Sequence, residues 1–155
     1  MRKAAVLLAN GFEEIEALTV VDILRRASVY VDTISITDDY MVHGSHGINV
    51  QTEDLFDEVN FVEFDMIVLP GGMPGTKYLS EHSGVRRVVA DFAETGKYVA
   101  AICAAPSILG SMGLLKGKHA ISYPSFEDKL TGAVIDRSPV VRDGNIITSR
   151  GMGTA

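Results

Sequence analysis

The chain of 155 residues has no tryptophan and one cysteine, Cys103. A single thiol excludes an intramolecular disulfide and a cysteine-based zinc cluster, and it suits a reducing, cytoplasmic compartment. Basic residues are also scarce: 14 Lys and Arg stand against 20 Asp and Glu, for a net charge of −6. That balance argues against a nucleic-acid partner, which calls for a basic face, and gives no support for binding to an anionic membrane. No apolar run approaches the roughly 18 residues that a membrane-crossing helix needs. The opening "MRKAAVLLANGFEE" imitates a secretory signal, but its apolar run is short and ends in glycine and acids instead of a small-residue cleavage site. What is present is an ordinary globular composition, 46% hydrophobic and 22% charged. The length suits one domain with a real core, and no repeat or linker interrupts it.

Strand-like and helix-like patterns alternate along the chain. "KAAVLLA" (Lys3–Ala9) is continuously apolar, as a strand covered on both faces should be. In the segment after it, Ala17, Val20, Val21 and Leu24 recur at helical spacing, with Arg25 and Arg26 in the last turn, where cations suit the helix dipole. Tyr30–Thr37 alternates as a second strand, and Tyr40–Glu53 reads as a hairpin with glycine-rich turns. Phe64–Gly72 predicts a buried strand. Thr76–His82 and Val85–Glu94 predict helices, the second closed by Gly96. Tyr98–Ile102 predicts a strand, Pro106–Leu115 a helix, "HAISYP" a strand and "SFEDKLTG" a short helix. "PVVRDGNIITS" predicts two strands around an Asp-Gly turn. This alternation points to an α/β fold with a parallel sheet and helices on both faces.

In open sheets of this kind, ligands collect beyond the carboxyl ends of the strands. Four segments end there: "LLANGFEE", "VLPGGMPG", "AAICAAP" and "ISYP". Cys103 lies where strand "VAAI" passes into helix "PSILG". Unpaired N–H groups at a helix start favour an anion, so the position predicts a thiol with a depressed pKa. Ala104 and Ala105 leave room for a strained turn of the nucleophile-elbow kind. The alternative is an inert, packed thiol, the usual state of a lone cysteine. Glu13, Glu14 and Glu16 sit in the first helical turn, where acids suit the dipole. Glu16 can also lean over the strand ends, and a carboxyl in a poorly solvated pocket keeps its proton. Gly71 and Gly72 can aim backbone N–H groups at an oxyanion, or form a plain turn. "LPGGMPG" lacks the Gly-Lys-Ser/Thr ending of a phosphate loop. None of His43, His46, His82 and His119 is placed for a Cys–His pair. "HGSH" shows two metal ligands at most and reads as a solvated turn, so neither a metal nor a cofactor is expected.

Taken together, "LANGFEEIEA", "DILRRA", "DMIVLPGGMPG", "AAICAAPSIL", "DKL" and "TSRGMGTA" resemble the ThiJ/PfpI superfamily and, within it, the DJ-one/YajL branch. They follow the family's order from near the start to the last residue. The resemblance implies a flavodoxin-like three-layer α/β sandwich with a mostly parallel central sheet, commonly a homodimer. It implies a reactive cysteine at Cys103, a protonated glutamate partner at Glu16, and backbone donors at Gly72 and Ala104. Glu13 falls on an acid of the pattern, and Arg150 on a residue near the site and the dimer surface. Two features depart from it. Tyr123 stands where many relatives have a histidine, as in YajL-like members, which removes a Cys–His dyad. Relatives also continue into a helix that packs on the sheet. Residues 1–155 are therefore expected to form one domain without that helix, "GMGTA" reading as the start of a motif cut short.

The expected activity is that of a stress-response protein with a reactive cysteine. The resemblance implies a glutathione-independent glyoxalase or protein deglycase, acting on a small reactive carbonyl such as methylglyoxal or on glycated protein. The alternative is a non-catalytic oxidative-stress sensor or holdase chaperone working through oxidation of Cys103. A cysteine peptidase is a weaker reading, since the family's peptidases place a histidine after the cysteine where this chain has Ala104. An amidotransferase is weaker still, because no late His-x-Glu partner is present.

Overall fold

A computed structural model describes residues 1–155. The chain begins with β1 (Lys3–Leu8), α1 (Glu14–Arg26) and β2 (Tyr30–Ser35). A small hairpin follows, β3 (Met41–His43) with β4 (Asn49–Gln51), and then the short edge strand β5 (Asp54–Leu55). β6 (Met66–Leu69), α2 (Gly75–Glu81), α3 (Ser83–Thr95), β7 (Tyr98–Ile102) and α4 (Pro106–Ser111) carry the chain across the sheet. The short strands β8 (His119–Ala120) and β9 (Val134–Ile135) and the hairpin of β10 (Val140–Asp143) and β11 (Ile146–Ser149) follow.

Seven strands form the central sheet in the order β10-β11-β7-β6-β1-β2-β5. Every neighbouring pair is parallel except the hairpin β10/β11. The continuous apolar sequence of β1 has a direct cause in this arrangement. Ala4, Val6 and Leu8 pack with Ala17 and Val21 of α1 on one face. Ala5 and Leu7 pack on the other face with Val85, Val89 and Phe92 of α3 and Ile108 and Leu109 of α4. With a period of two, both sets must be apolar when both faces are covered. The expected α/β sandwich with a mostly parallel sheet is therefore the observed fold.

The order of strands places the site. β2 lies on one side of β1 and β6 on the other, so the chain changes direction at β1. The loops beyond β1 and β6 leave a crevice at that point. The loops after β1, β6 and β7 supply the residues described below.

Three local expectations are revised. The helix that begins at Pro106 stops at Ser111 instead of Leu115, because Gly113 turns the chain at φ 73° and the N–H of Leu114 reaches back to the Leu109 carbonyl. The "HAISYP" strand shortens to β8, which pairs with β9 in a separate two-stranded sheet; the N–H of Ile121 goes instead to Oγ1 of Thr148. The short helix of "SFEDKLTG" is a 3-10 helix spanning Pro124–Lys129. The Tyr40–Glu53 hairpin and the closure of α3 at Gly96 form where the pattern puts them.

Candidate active site

Cys103 follows β7 directly and adopts φ 64°. A non-glycine residue in that region carries strain of about 1–3 kcal/mol and persists only where the surroundings hold it. Here its N–H donates to the carbonyl of Ser149 at the end of β11, and its carbonyl accepts from the N–H of Tyr123. Ala104, Ala105 and Pro106 pack beneath it and are buried. The thiol itself is half-buried. The sequence expectation of a strained strand-to-helix turn is what the backbone forms.

Glu16 reaches this elbow from α1. It is 1% exposed, and its Oε2 accepts the N–H of Gly71 at 2.8 Å. Glu13 caps the helix, its carboxylate accepting the N–H of Glu16 at 2.9 Å, while its own N–H donates to the carbonyl of Gly71. The two glycines after β6 are required by close approach. A Cβ at Gly71 would stand 2.5 Å from Oε2 of Glu16 and 2.6 Å from Cβ of Cys103. Gly72 adopts φ 94° and leaves its N–H, with that of Ala104, facing the sulfur. The four predicted site residues Cys103, Glu16, Gly72 and Ala104 thus converge.

The electrostatics revise one expectation. Burial pushes the Cys103 thiol up to about 12, and the charge of Glu16 adds to the rise; the N–H groups of Ala104 and Gly72 pull the other way but less strongly. The depressed thiol expected from a helix start is therefore not found. The following helix, α4, is only six residues long, while a carboxyl stands directly against the sulfur. Burial also raises the pKa of Glu16, against the opposing pull of Cys103 and the Gly71 N–H; the charge of Glu13 adds to the rise. Two groups that both resist negative charge titrate as a pair, and the pair holds a proton between them at neutral pH.

Glu14 has a role that the sequence reading missed. It is buried, and its carboxylate accepts the backbone N–H of His46 at 2.8 Å and of Ile48 at 3.2 Å, with Oγ of Ser45 donating at 3.2 Å. Burial works to raise its pKa, but its own backbone N–H and the contacts to His46 and Ile48 outweigh that and hold it down at about 2. The "HGSH" turn is thus fastened to α1, although the His46 ring is largely exposed. Glu13, Glu14 and His46 bring three ligand atoms within 4.8 Å, where the sequence showed two histidines. No local signal marks Glu14, because its partners lie more than 30 positions away. Arg150 is half-buried just past β11, and its backbone N–H donates to Thr154. Tyr123 is 49% exposed and meets Cys103 through its backbone. No histidine hydrogen-bonds to Cys103, consistent with a site that has no Cys–His dyad.

The model of the DJ-1/PfpI family matches residues 2–155. The chain is 38% identical to protein dj-1beta of Drosophila melanogaster, across 99% of this chain and 83% of that protein. It is 36% identical to a protein of Pyrococcus horikoshii named a deglycase, across 96% of this chain and 89% of that one. Among solved structures, a cysteine-to-alanine mutant of a DJ-1 superfamily protein from Salmonella typhimurium superposes with a TM-score of 0.94. The identity is 37%, and the match covers 99% of this chain and 84% of that one.

Proposed function

The chain belongs to the DJ-1/PfpI family, and on that premise we propose that it is a cysteine-dependent enzyme of the glyoxalase or protein-deglycase type, acting on methylglyoxal or its adducts. The coarse reading is a DJ-1-type stress-response protein; the finer one, a specific reaction, rests on a single observation. That observation is the strained Cys103 elbow held against buried Glu16, with the N–H groups of Gly72 and Ala104 facing the sulfur.

The chemistry follows from the groups present. The proton of the Cys103 thiol passes to the Glu16 carboxylate as the sulfur adds to the aldehyde carbon of methylglyoxal. The oxyanion that forms takes hydrogen bonds from the Gly72 and Ala104 N–H groups and receives the proton back from Glu16, giving a hemithioacetal. Glu16, again a carboxylate, then takes the proton from the former aldehyde carbon and returns it to the neighbouring carbon, while the hydroxyl proton passes to the neighbouring carbonyl oxygen, converting the hemithioacetal to a lactoyl thioester. Water cleaves the thioester to lactate and the free thiol. Neither a redox partner nor a cofactor is consumed. A carboxyl that gains and loses a proton within one turnover is served by the raised pKa of Glu16.

The purified protein should consume methylglyoxal and release lactate in equal amounts, and Cys103→Ala should lower the rate by roughly a thousandfold or more. Undiminished turnover in that variant would remove Cys103 from the mechanism. A second reading, an oxidative-stress sensor, is favoured by the same half-buried thiol. The N–H groups around the sulfur can receive sulfinate oxygens, and a neutral Glu16 can donate to them. Mild peroxide should then add two oxygen atoms to Cys103 and stop there, as read by mass spectrometry. Either reading includes a reducing cytoplasmic setting and a homodimer; a carbonyl compound or glycated protein is the partner in the first.

A further inference from the structure

A second cleft is walled by α2, the start of α3, α4 and the 3-10 helix Pro124–Lys129. Its volume is about 710 Å³, within the range of roughly 300–1,000 Å³ that small-molecule sites occupy. Neither Cys103 nor Glu16 lines it. Three cations do, Lys77, Arg86 and Lys129, against one acid, Asp128. None of the three belongs to an ion pair, although the chain carries a net charge of −6.

Arg86 is held in place rather than free. Its Nη1 donates to the Ser80 carbonyl at 3.4 Å and to Oγ of Ser111 at 3.2 Å. Nε and Nη2 have no protein acceptor, so one edge of the guanidinium remains open. Lys129 places its ammonium 4.8 Å from the centre of the Phe126 ring, which fixes it at the wall. Ser107 and Ser111 already donate to the carbonyls of Ala104 and Ile108. Their oxygens are therefore acceptors, suited to a ligand's own hydroxyl groups. Thr76, in the same wall and 4% exposed, has a side-chain oxygen with no hydrogen-bond partner. The protein thus leaves a polar group on this side of α2 unsatisfied.

We propose that this cleft binds a small phosphomonoester with a hydroxylated body. The phosphate oxygens pair with the open edge of Arg86 and with Lys77 and Lys129, a geometry in which guanidinium is preferred for oxyanions. The hydroxyl groups donate to the serine oxygens. Met73 and Ser107 of the wall follow Gly72 and Ala104 closely in the chain. The inference stands on the cleft alone and does not depend on the reaction at Cys103.

The test is titration of the ¹⁵N-labelled protein with glycerol 3-phosphate, inorganic phosphate, glycerol and sodium sulfate at matched ionic strength. Glycerol 3-phosphate should saturate, with amide shifts concentrated at Lys77, Ser80 and Ser111, and glycerol should not bind. Lys77→Gln, an exposed change that leaves the Arg86 hydrogen bonds intact, should weaken binding by about tenfold, and Arg86→Gln by at least as much. Absence of saturation, or unchanged binding in both variants, would overturn the site. Equal affinity for sulfate would reduce it to a non-selective cationic patch. Equal affinity for inorganic phosphate would overturn the hydroxylated body.

Discussion

At Cys103 a positive φ, a buried carboxyl and two backbone N–H groups meet from three separate segments of the chain. The geometry pulls in two directions. The N–H groups favour a thiolate, while burial and the Glu16 charge disfavour it, and the second influence wins, holding the thiol at about 12. Removing the charge at Glu16 therefore frees the sulfur to ionise. In Glu16→Gln the pH profile of Cys103 alkylation by iodoacetamide should move to lower pH, while methylglyoxal turnover falls because the proton carrier is gone. A profile that stays in place would uncouple the two residues. The cysteine and the glycines were recognisable from sequence, because a lone thiol after an apolar run and a Gly-Gly pair after another are local signals. The sign of the thiol's pKa shift was not. It depends first on how deeply the turn buries the sulfur and then on how close Glu16 comes, an approach that the missing side chain of Gly71 allows.

At the scale of elements, α1 delivers three consecutive tasks from four positions. Glu13 caps it, Glu14 fastens the β3–β4 hairpin, and Glu16 reaches the site. Periodicity identified the helix and its acids, and the helix dipole accounted for them too readily: acids in a first turn need no partner to be stable there. The structure gives each a separate role. The pKa of Glu14, held at about 2, lies below its ordinary value of 4.5, so its stabilisation is present above pH 4.5 and is lost as pH falls toward 2. Glu14→Gln should lower the stability of the protein by about 2 kcal/mol near neutral pH, a figure already discounted for nearby solvent. Urea unfolding should show the gap from wild type at pH 7 and its narrowing below pH 4. A gap that persists unchanged at pH 2.5 would mean that packing, not charge, is what the substitution removes.

For the whole molecule, the outer side of α1 leaves Ile15 and Ile23 about half exposed. A stable interface of about 800 Å² per partner would take roughly a tenth of the 7520 Å² accessible surface. The homodimer that we propose should sediment at twice 16.7 kDa, and Ile23→Lys should shift it toward monomer. Sedimentation of the wild type as a monomer at micromolar concentration would refute it.

The order of amino acids by itself determined the α/β alternation, the parallel sheet and the strand ends that carry chemistry. These are local matters: period, punctuation by glycine and proline, and small residues after Cys103. It also carried the family, since "GFEEIEA", "VLPGG" and "AICAAP" are short and specific. It did not show that "HAISYP" would leave the main sheet for β9, nor that α4 would end at Ser111, because pairing partners and chain turns are chosen by distant segments. Only tertiary structure decided that Glu14 would hold a turn 32 positions away and that Lys77, Arg86 and Lys129 would share one cleft. Contacts of that kind arise when a sheet brings loops together, and no periodicity in the chain records which loops will meet.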